Sequence, residues 1–310
     1  MDAPAAPPRD STELDADALR AWPLPPLSDD ADKEARGRIV VIAGSREIPG
    51  AAVLAATAAL RAGAGKLVIA TAGSVAGAMA FAMPEARVIA LPETPAGGFE
   101  GGAIALLERA IATAQSVVVG PGLMDREATC AFVTRLLPRL AGKRVVLDAL
   151  AMDAITTIGR FHSPVLLTPH AGEMAHLTGW SKQAVLDDPL HAARDAAARW
   201  NAVVAVKGPT TVIATPAGAT WRHRGGNCGL ATSGSGDTLA GLIAGLCARG
   251  ASLEQACSWG VVLHAQAGER LAREVGPVGF LARELPDAML AALRALDAGA
   301  RPAPDAPRER

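Results

Sequence analysis

The amino-acid sequence predicts an α/β fold, a central and mostly parallel β-sheet flanked by helices on both faces. Short β-branched runs alternate along the chain with Ala/Leu-rich stretches of helical length, which is the pattern of parallel strands joined by crossover helices. The runs are continuously apolar rather than alternating, as strands buried on both sides are. Hydrophobic residues make up 50% of the 310, against 20% charged, enough apolar material for a sizeable core.

In chain order, residues 1–36 are rich in Pro, Asp and Ala, show little periodicity, and read as a tail or as an arm that docks on the body. The predicted strands are 39–43 (IVVIA), 66–71 (KLVIAT), 116–120 (SVVVG), 144–150 (RVVLDAL), 164–168 (PVLLT), 203–208 (VVAVKG) and 210–215 (TTVIAT). Helical patterns cover about 50–62, 104–115, 126–140, 190–200, 238–249, 253–273 and 281–296. No Pro/Gly-rich linker and no internal repeat divides them. The α/β domain is therefore expected over 37–298, with 299–310 as a disordered tail.

Several function classes are set aside by composition. Lys+Arg is 30 and Asp+Glu 31, a net charge of −1, so no basic excess points to nucleic acid or to an acidic membrane surface. No apolar run is long enough to span a bilayer, and the acidic, proline-rich start does not resemble a secretory signal. Cys130, Cys228, Cys247 and Cys257 have no paired spacing. They read as buried small hydrophobes in a reducing cytoplasm rather than as a disulfide framework or zinc site. No P-loop, zinc-protease or serine-hydrolase signature is present.

In a parallel sheet of this kind ligands bind beyond the carboxyl ends of the strands, so the strand-to-helix turns matter most. Gly44 to Gly50 forms a polar loop whose N–H groups could face a phosphate, or an ordinary turn. Gly120-Pro121-Gly122 follows a buried strand and suits either a substrate edge or a plain tight turn. Thr168-Pro169-His170 leaves the next strand; His170 is placed for ligand contact or a structural role, and Glu173 for capping the helix that follows. His176, further into that helix, reads as structural. Lys207, one of only five lysines in the chain, opens a turn to Thr211 that could hold a nucleotide phosphate through Lys207, Thr210 or Thr211.

The strongest segment is GGNCGLATSGSGDTLAGLIAGLCARG, residues 225–250. Glycines and hydroxyl residues run into an apolar helix, where free N–H groups and the helix dipole make an anion hole. A carboxylate there, Asp237, is expected to stay ionised and to take a proton from a substrate hydroxyl while the hole holds a transferring phosphoryl group. Capping of the helix by Asp237 is the structural alternative. Gly241 and Gly245 share one face of the helix and suit tight packing.

These segments together resemble the ADP/ATP-dependent NAD(P)H-hydrate dehydratases, a branch of the ribokinase-like superfamily, over about residues 37–296. The most specific parts are GNCGLATSGSGDTLAGLIAGL (226–246), LLTPHAGEM (166–174), AVKGPTTVI (205–213), VVGPGL (118–123) and IPGAAVLAATAALRAGAGKL (48–67). The resemblance implies a ribokinase-like fold, without the epimerase domain fused in some relatives. It implies a hydro-lyase of metabolite repair: the ring hydroxyl of the S-form hydrate of NADH or NADPH is phosphorylated by ADP or ATP, with Mg2+ on the phosphates, and phosphate then leaves. By position it implies Asp237 as base and Gly234, Ser235 and Gly236 as anion hole. Ala51, Gly122, His170 and Asp237 match hydrate contacts. Lys207, Gly208, Pro209, Thr210, Thr211, Asn227, Gly229 and Gly236 match nucleotide contacts. A cytoplasmic homotetramer is the usual form of the family.

The chain departs from the family pattern in three places. Leu147-Asp148-Ala149-Leu150 stands where L-D-A-D is common, Ala171 where Pro is usual, and Ile48 where an aromatic is frequent. Two other readings remain: a kinase of the same fold acting on a vitamin precursor or sugar alcohol, and a non-catalytic nucleotide sensor, for which Leu150 is the only support.

Overall fold

The computed structural model of the chain describes residues 11–26, 30 and 32–298. The elements run β1 (Thr12–Glu13), α1 (Ala16–Ala21), β2 (Arg38–Ile42), α2 (Gly50–Arg61), β3 (Lys66–Ala72), α3 (Gly73–Ala82), β4 (Ala86–Leu91), α4 (Ala103–Thr113), β5 (Ser116–Val119), α5 (Arg126–Leu136) and β6 (Arg144–Leu147). They continue as α6 (Ala154–Ile158), β7 (Val165–Leu167), α7 (Ala171–Thr178), α8 (Lys182–Asp187), α9 (Pro189–Trp200), β8 (Ala202–Val206), β9 (Thr210–Ala214), β10 (Thr220–Arg224), α10 (Ser235–Ala248), α11 (Leu253–Glu274) and α12 (Leu285–Ala298). Among the described residues the strands form one sheet in the order β1-β10-β9-β8-β7-β6-β5-β2-β3-β4. Neighbours are parallel except β8–β9 and β9–β10, as the mostly parallel reading requires.

Burial on both faces follows strand by strand. In β2, Ile39 and Val41 enter one apolar cluster with residues of α2, α10, α11 and α12. Val40 and Ile42 enter the opposite cluster, with residues of α4, α5 and α9. Successive side chains of a strand point to opposite faces, so an unbroken apolar run feeds two cores at once. The runs read from the sequence are the central strands for this reason.

Differences from the sequence reading have local causes. β4 is an edge strand that exposes Arg87 and Ala90, and β10 exposes Arg222 and Arg224, so neither shows the buried-run signature. α3 also lay outside the helical patterns. The helix expected over 126–140 is α-helical to Leu136 and then tightens to a 3-10 turn, Leu137–Leu140, around Pro138, whose ring cannot continue the ladder. The fourth predicted strand stops at Leu147, and Ala149 at φ 47° turns the chain into the 3-10 segment Ala149–Asp153. Cys247 and Cys257 are buried, but Cys130 is half-buried and Cys228 is exposed, because Cys228 lies in the loop after β10 rather than on an apolar helix face.

The described part of residues 1–36 does dock. Thr12 and Glu13 pair with Trp221 and Arg222 of β10. Trp22 stacks on Trp221 with ring centroids 5.5 Å apart, and the Gln255 and Trp259 side chains donate to the Trp22 and Pro23 carbonyls. The predicted tail, 299–310, lies outside the described residues. No helix among the described residues is long and apolar enough to cross a membrane.

Candidate active site

The carboxyl ends of β2, β5, β6, β7 and β8 open onto one edge of the sheet, and backbone hydrogen bonds tie their turns side by side. Gly44 N–H donates to Pro121 O at 2.8 Å, Gly120 N–H to Ile42 O at 3.2 Å, Asp148 N–H to Val119 O at 3.0 Å and Lys207 N–H to Pro169 O at 2.8 Å. Gly44 thus commits its N–H within the fold rather than to a phosphate. Gly122, at φ 65°, lies against the start of α2, where a Cβ would stand 2.6 Å from Ala51 Cβ and Ile48 O. Both the dihedral and the space require glycine. Ala51 and Gly122, expected on family likeness to touch one ligand, are therefore neighbours.

α10 begins at the same edge. Its N-cap is Gly234 at φ 87°, without a side-chain cap, so Asp237 in the first turn does not cap the helix. Ser235, expected in the anion hole, turns its N–H to Thr232 O at 3.3 Å and its hydroxyl to His264 Nε2 at 2.9 Å. Among the described residues no acceptor is found for the N–H groups of Gly234, Gly236 and Asp237, which leaves them as free donors at the positive end of the helix. The Lys207 ammonium reaches this turn: a Cβ on Gly236 would stand 3.4 Å from Lys207 Nζ.

Four charged side chains converge here from four elements: Asp148 after β6, Glu173 in α7, Lys207 after β8 and Asp237 in α10. Lys207 Nζ lies 3.4 Å from Asp148 Oδ1, with side chains 20% and 4% exposed. Asp148 Oδ1 also accepts from Thr168 Oγ1 at 2.6 Å. Burial works against the Lys207 ammonium, but the carboxylates of Asp148, Glu173 and Asp237 outweigh it and hold its pKa above the ordinary 10.5. Burial, and then the Asp148 charge, push Asp237 up to about 6 from 3.8; Lys207 opposes this and Glu173 adds to it. Asp237 is still mostly ionised at neutral pH, but burial and the Asp148 charge work against the helix end that favours its charge. It is a carboxylate poised just below neutrality, where a general base works well. Burial and the Lys207 charge lower His264 to about 4, so it is neutral beside Ser235.

His170 is the N-cap of α7. Its Nδ1 accepts from Gly172 N–H at 3.0 Å and Glu173 N–H at 3.1 Å, while Glu173 accepts from His170 N–H at 2.8 Å. This capping box fixes Nδ1 as an acceptor, and the ring remains 59% exposed at the mouth of the site. His176 is bound instead to Arg126, away from the site, at 2.6 Å.

The Lys207–Thr211 turn closes on itself through Thr211 Oγ1 and the Gly208 backbone, with Gly208 and Pro209 exposed. Thr210 pairs with Arg224 across the β9–β10 hairpin, which brings this turn to the segment holding Asn227 and Gly229. Asn227 Oδ1 accepts from Gly229 N–H at 2.8 Å, whereas its Nδ2 is buried and has no partner among the described residues. Gly229 packs under Phe280.

Asp148, Thr168 and His264 were not singled out from the sequence as site residues. Asp148 carried a signal, an acidic residue directly after a buried strand. His264 carried none, being one histidine in a long helix. A cavity of about 500 Å³ at the amino ends of β2 and β3, lined by Lys33, Arg38 and Lys66 among others, contains none of these residues. The charged cluster of Asp148, Glu173, Lys207 and Asp237 lies at the other end of the sheet.

A family model described as NAD(P)H-hydrate dehydratase matches residues 39–290. The chain is 50% identical, over 87% of its length and 92% of the other's, to an ADP-dependent (S)-NAD(P)H-hydrate dehydratase of Xanthomonas campestris pv. campestris. It is 40% identical to a bifunctional NAD(P)H-hydrate repair enzyme of Moorella thermoacetica, covering 88% of this chain and 52% of that longer one. Among solved structures, a ribokinase-like superfamily protein of Enterococcus faecalis superposes with TM-score 0.80 at 26% identity, covering 92% of this chain and 96% of that one. An ADP/ATP-dependent NAD(P)H-hydrate dehydratase of Bacillus subtilis, co-crystallised with ATP/Mg2+, superposes with TM-score 0.78 at 30% identity, covering 93% and 100%. The fold is ribokinase-like, and with matches of this extent on both sides the chain belongs to the NAD(P)H-hydrate dehydratase family.

Proposed function

We propose that this chain dehydrates the S-epimer of NAD(P)H hydrate to NAD(P)H, using a nucleotide to activate the ring hydroxyl. The observation that carries this reading is the juxtaposition of a raised-pKa carboxylate, Asp237, with the free N–H donors of its own helix turn and the Lys207 ammonium. A base must take the hydroxyl proton while positive groups hold the phosphoryl oxygens.

In this reading Asp237 accepts the hydroxyl proton as that oxygen bonds to the terminal phosphorus of the nucleotide, and the bond from phosphorus to the departing nucleotide breaks. The free donors of Gly234, Gly236 and Asp237, with Lys207, carry the charge on the phosphoryl oxygens. The phosphate then leaves the ring carbon with the bonding pair, and loss of a proton from the neighbouring carbon restores the ring double bond. Lys207 to Thr211, Asn227 and Gly229 hold the nucleotide; Ala51, Gly122 and His170 line the hydrate.

ADP is the proposed donor, since the Xanthomonas relative is ADP-dependent by name. Magnesium fits as a companion of the nucleotide phosphates. The described residues hold no group of three or more His, Cys, Asp or Glu side chains set to cage a metal, and magnesium in nucleotide sites keeps waters and phosphate oxygens as its main ligands. A cytoplasmic homotetramer completes the reading by family likeness.

The test is incubation with the S-hydrate and ADP or ATP in parallel. Recovery of the reduced-nicotinamide absorbance, with release of phosphate, is the expected result. Nucleotide consumption without that absorbance returns the chain to a kinase of the same fold, and nucleotide binding without turnover to a sensor.

A further inference from the structure

The three carboxylates around the Lys207 ammonium are not equivalent. Glu173 is engaged by the His170 backbone N–H in the capping box. Asp148 is almost fully buried, is fastened by the Thr168 hydroxyl at 2.6 Å, and is the carboxylate found within 4 Å of Lys207 Nζ. Asp237 is half-buried and accepts no hydrogen bond among the described residues. The backbone beneath Asp148 is equally fixed: its N–H is bound to Val119 O, Ala149 follows at φ 47°, and Gly120 leaves no room for a Cβ against the Asp148 carbonyl.

We infer that Asp148 is a positioning residue, which holds the Lys207 ammonium on its own side of the α10 amino end and so keeps it from closing onto Asp237 as a dead ion pair. With the ammonium tethered, the base stays free to take a proton while the cation still faces the space beside Gly236. Two opposite charges a few ångströms apart attract strongly in a partly dry site, so an untethered lysine moves to the one carboxylate without a hydrogen-bond partner. In the segment Leu147-Asp148-Ala149-Leu150, Asp148 is the one acid, and it is the residue that meets Lys207.

The charged groups that act on Asp237 are Asp148, Lys207 and Glu173, and neutral His264 is bound to Ser235, two residues before it. The raised pKa of Asp237 accords with a restrained cation. Replacing Asp148 by Asn keeps volume and the acceptor for Thr168 but removes both the anionic neighbour and the tether. Both changes favour ionised Asp237, so its titration moves to lower pH. If tethering matters, the move depends on Lys207.

This inference rests on the proposed role of Asp237, but its primary test does not need turnover. Carboxyl-labelled aspartate is titrated by NMR in the ligand-free full chain, the Asp237 signal being assigned with Asp237→Asn. Asp148→Asn is expected to lower the Asp237 midpoint by at least about one pH unit. In a Lys207→Gln background the same change is expected to give less than half that shift, the signature of coupling through the lysine. In the dehydration assay Asp148→Asn is expected to lower kcat at least roughly tenfold, to move the acidic limb of the pH profile the same way, and to leave the nucleotide KM within about threefold. Thr168→Val, which unfastens Asp148 without changing charge, is expected to shift the midpoint in the same direction by a smaller amount, and serves if Asp148→Asn does not fold. An unmoved midpoint in either folded variant overturns the inference, as does an equal shift with and without Lys207. A midpoint that shifts as expected in a chain inactive on the hydrate leaves the tether standing and sinks the dehydratase reading instead.

Discussion

The two halves of α10 use glycine for opposite ends. In the carboxyl half, Gly241 and Gly245 lie one helical turn apart against α2, and a Cβ on either would collide with the carbonyls of Ala55 or Ala59. The helices touch backbone to backbone, and this half is buried throughout. In the amino half, Gly234 turns the chain at φ 87° and Gly236, without a side chain, lets the Lys207 ammonium come close. There N–H groups go unpaired and a carboxylate is held at a pKa it would not choose in water. One half supplies packing, and the other holds groups in a state that costs stability. A helix clamped by its neighbour along one half can keep the other in an unfavourable electrostatic state, which is how active sites store their cost.

The sharpest way to break this comparison is Asp237→Asn. Asn keeps the shape and loses the base, so kcat is expected to fall by ~10²–10⁴-fold with nucleotide binding retained. Retention of more than about a tenth of the parental kcat would leave the amino half without its chemical role. The same variant tests the cost. The native carboxyl binds its proton up to about pH 6 and the unfolded one only to about 3.8. The native state therefore holds more protons in that window, and the parent loses stability as pH rises through it. Asn carries no such penalty. The variant is expected to melt above the parent at pH 7.5, with the difference shrinking as pH falls from 6 toward 4. A lower melting temperature at pH 7.5 would mean that Asp237 is not held at a cost.

Gly241→Ala tests the other half. The added methyl meets the Ala55 backbone, which cannot rotate away as a side chain can. Overpacking of this kind costs typically ~1–3 kcal/mol. The expected result is that much lost stability in denaturant melts, with kcat changed far less than in Asp237→Asn. If Gly241→Ala instead removes activity at full stability, the two halves are not divided as described.

Legibility in the sequence followed the same division. The central strands, α2, α10 and α11 announce themselves because unbroken apolar runs have few other destinations. The glycine-dense turn announces its own peculiarity, since glycines before an apolar helix suit little but a tight backbone function. The edge strand β4 and the outer strand β10 do not, because charged outward faces look like loop. Asp148, Thr168 and His264 were missed for a further reason. Their importance lies in partners far along the chain: Asp148 meets Lys207 across 59 residues, and Ser235 meets His264 across 29. Such pairings depend on strand order, which no local pattern encodes. The raised pKa of Asp237 was illegible likewise, because it arises from burial and from Asp148 rather than from the helix on which it sits.

The smallest expected effect belongs to His170, and it separates a residue at the mouth of the site from the costly turn behind it. His170 caps α7 through Nδ1 and presents an exposed ring. Its removal leaves two N–H groups, of Gly172 and Glu173, to water, a loss of ~1 kcal/mol or less for an exposed cap. It also strips one wall from the proposed hydrate pocket without touching the base, the free N–H donors or Lys207. His170→Ala is therefore expected to raise the hydrate KM several-fold, to leave kcat at saturation within about an order of magnitude, and to lower stability slightly. Restoring the cap with His170→Asn should recover the stability and not the KM, since Asn accepts from the same N–H groups but lacks the ring. A collapse of kcat as deep as that of Asp237→Asn would place His170 in the reacting cluster. The line between mouth and turn would then have to be redrawn around the α7 cap.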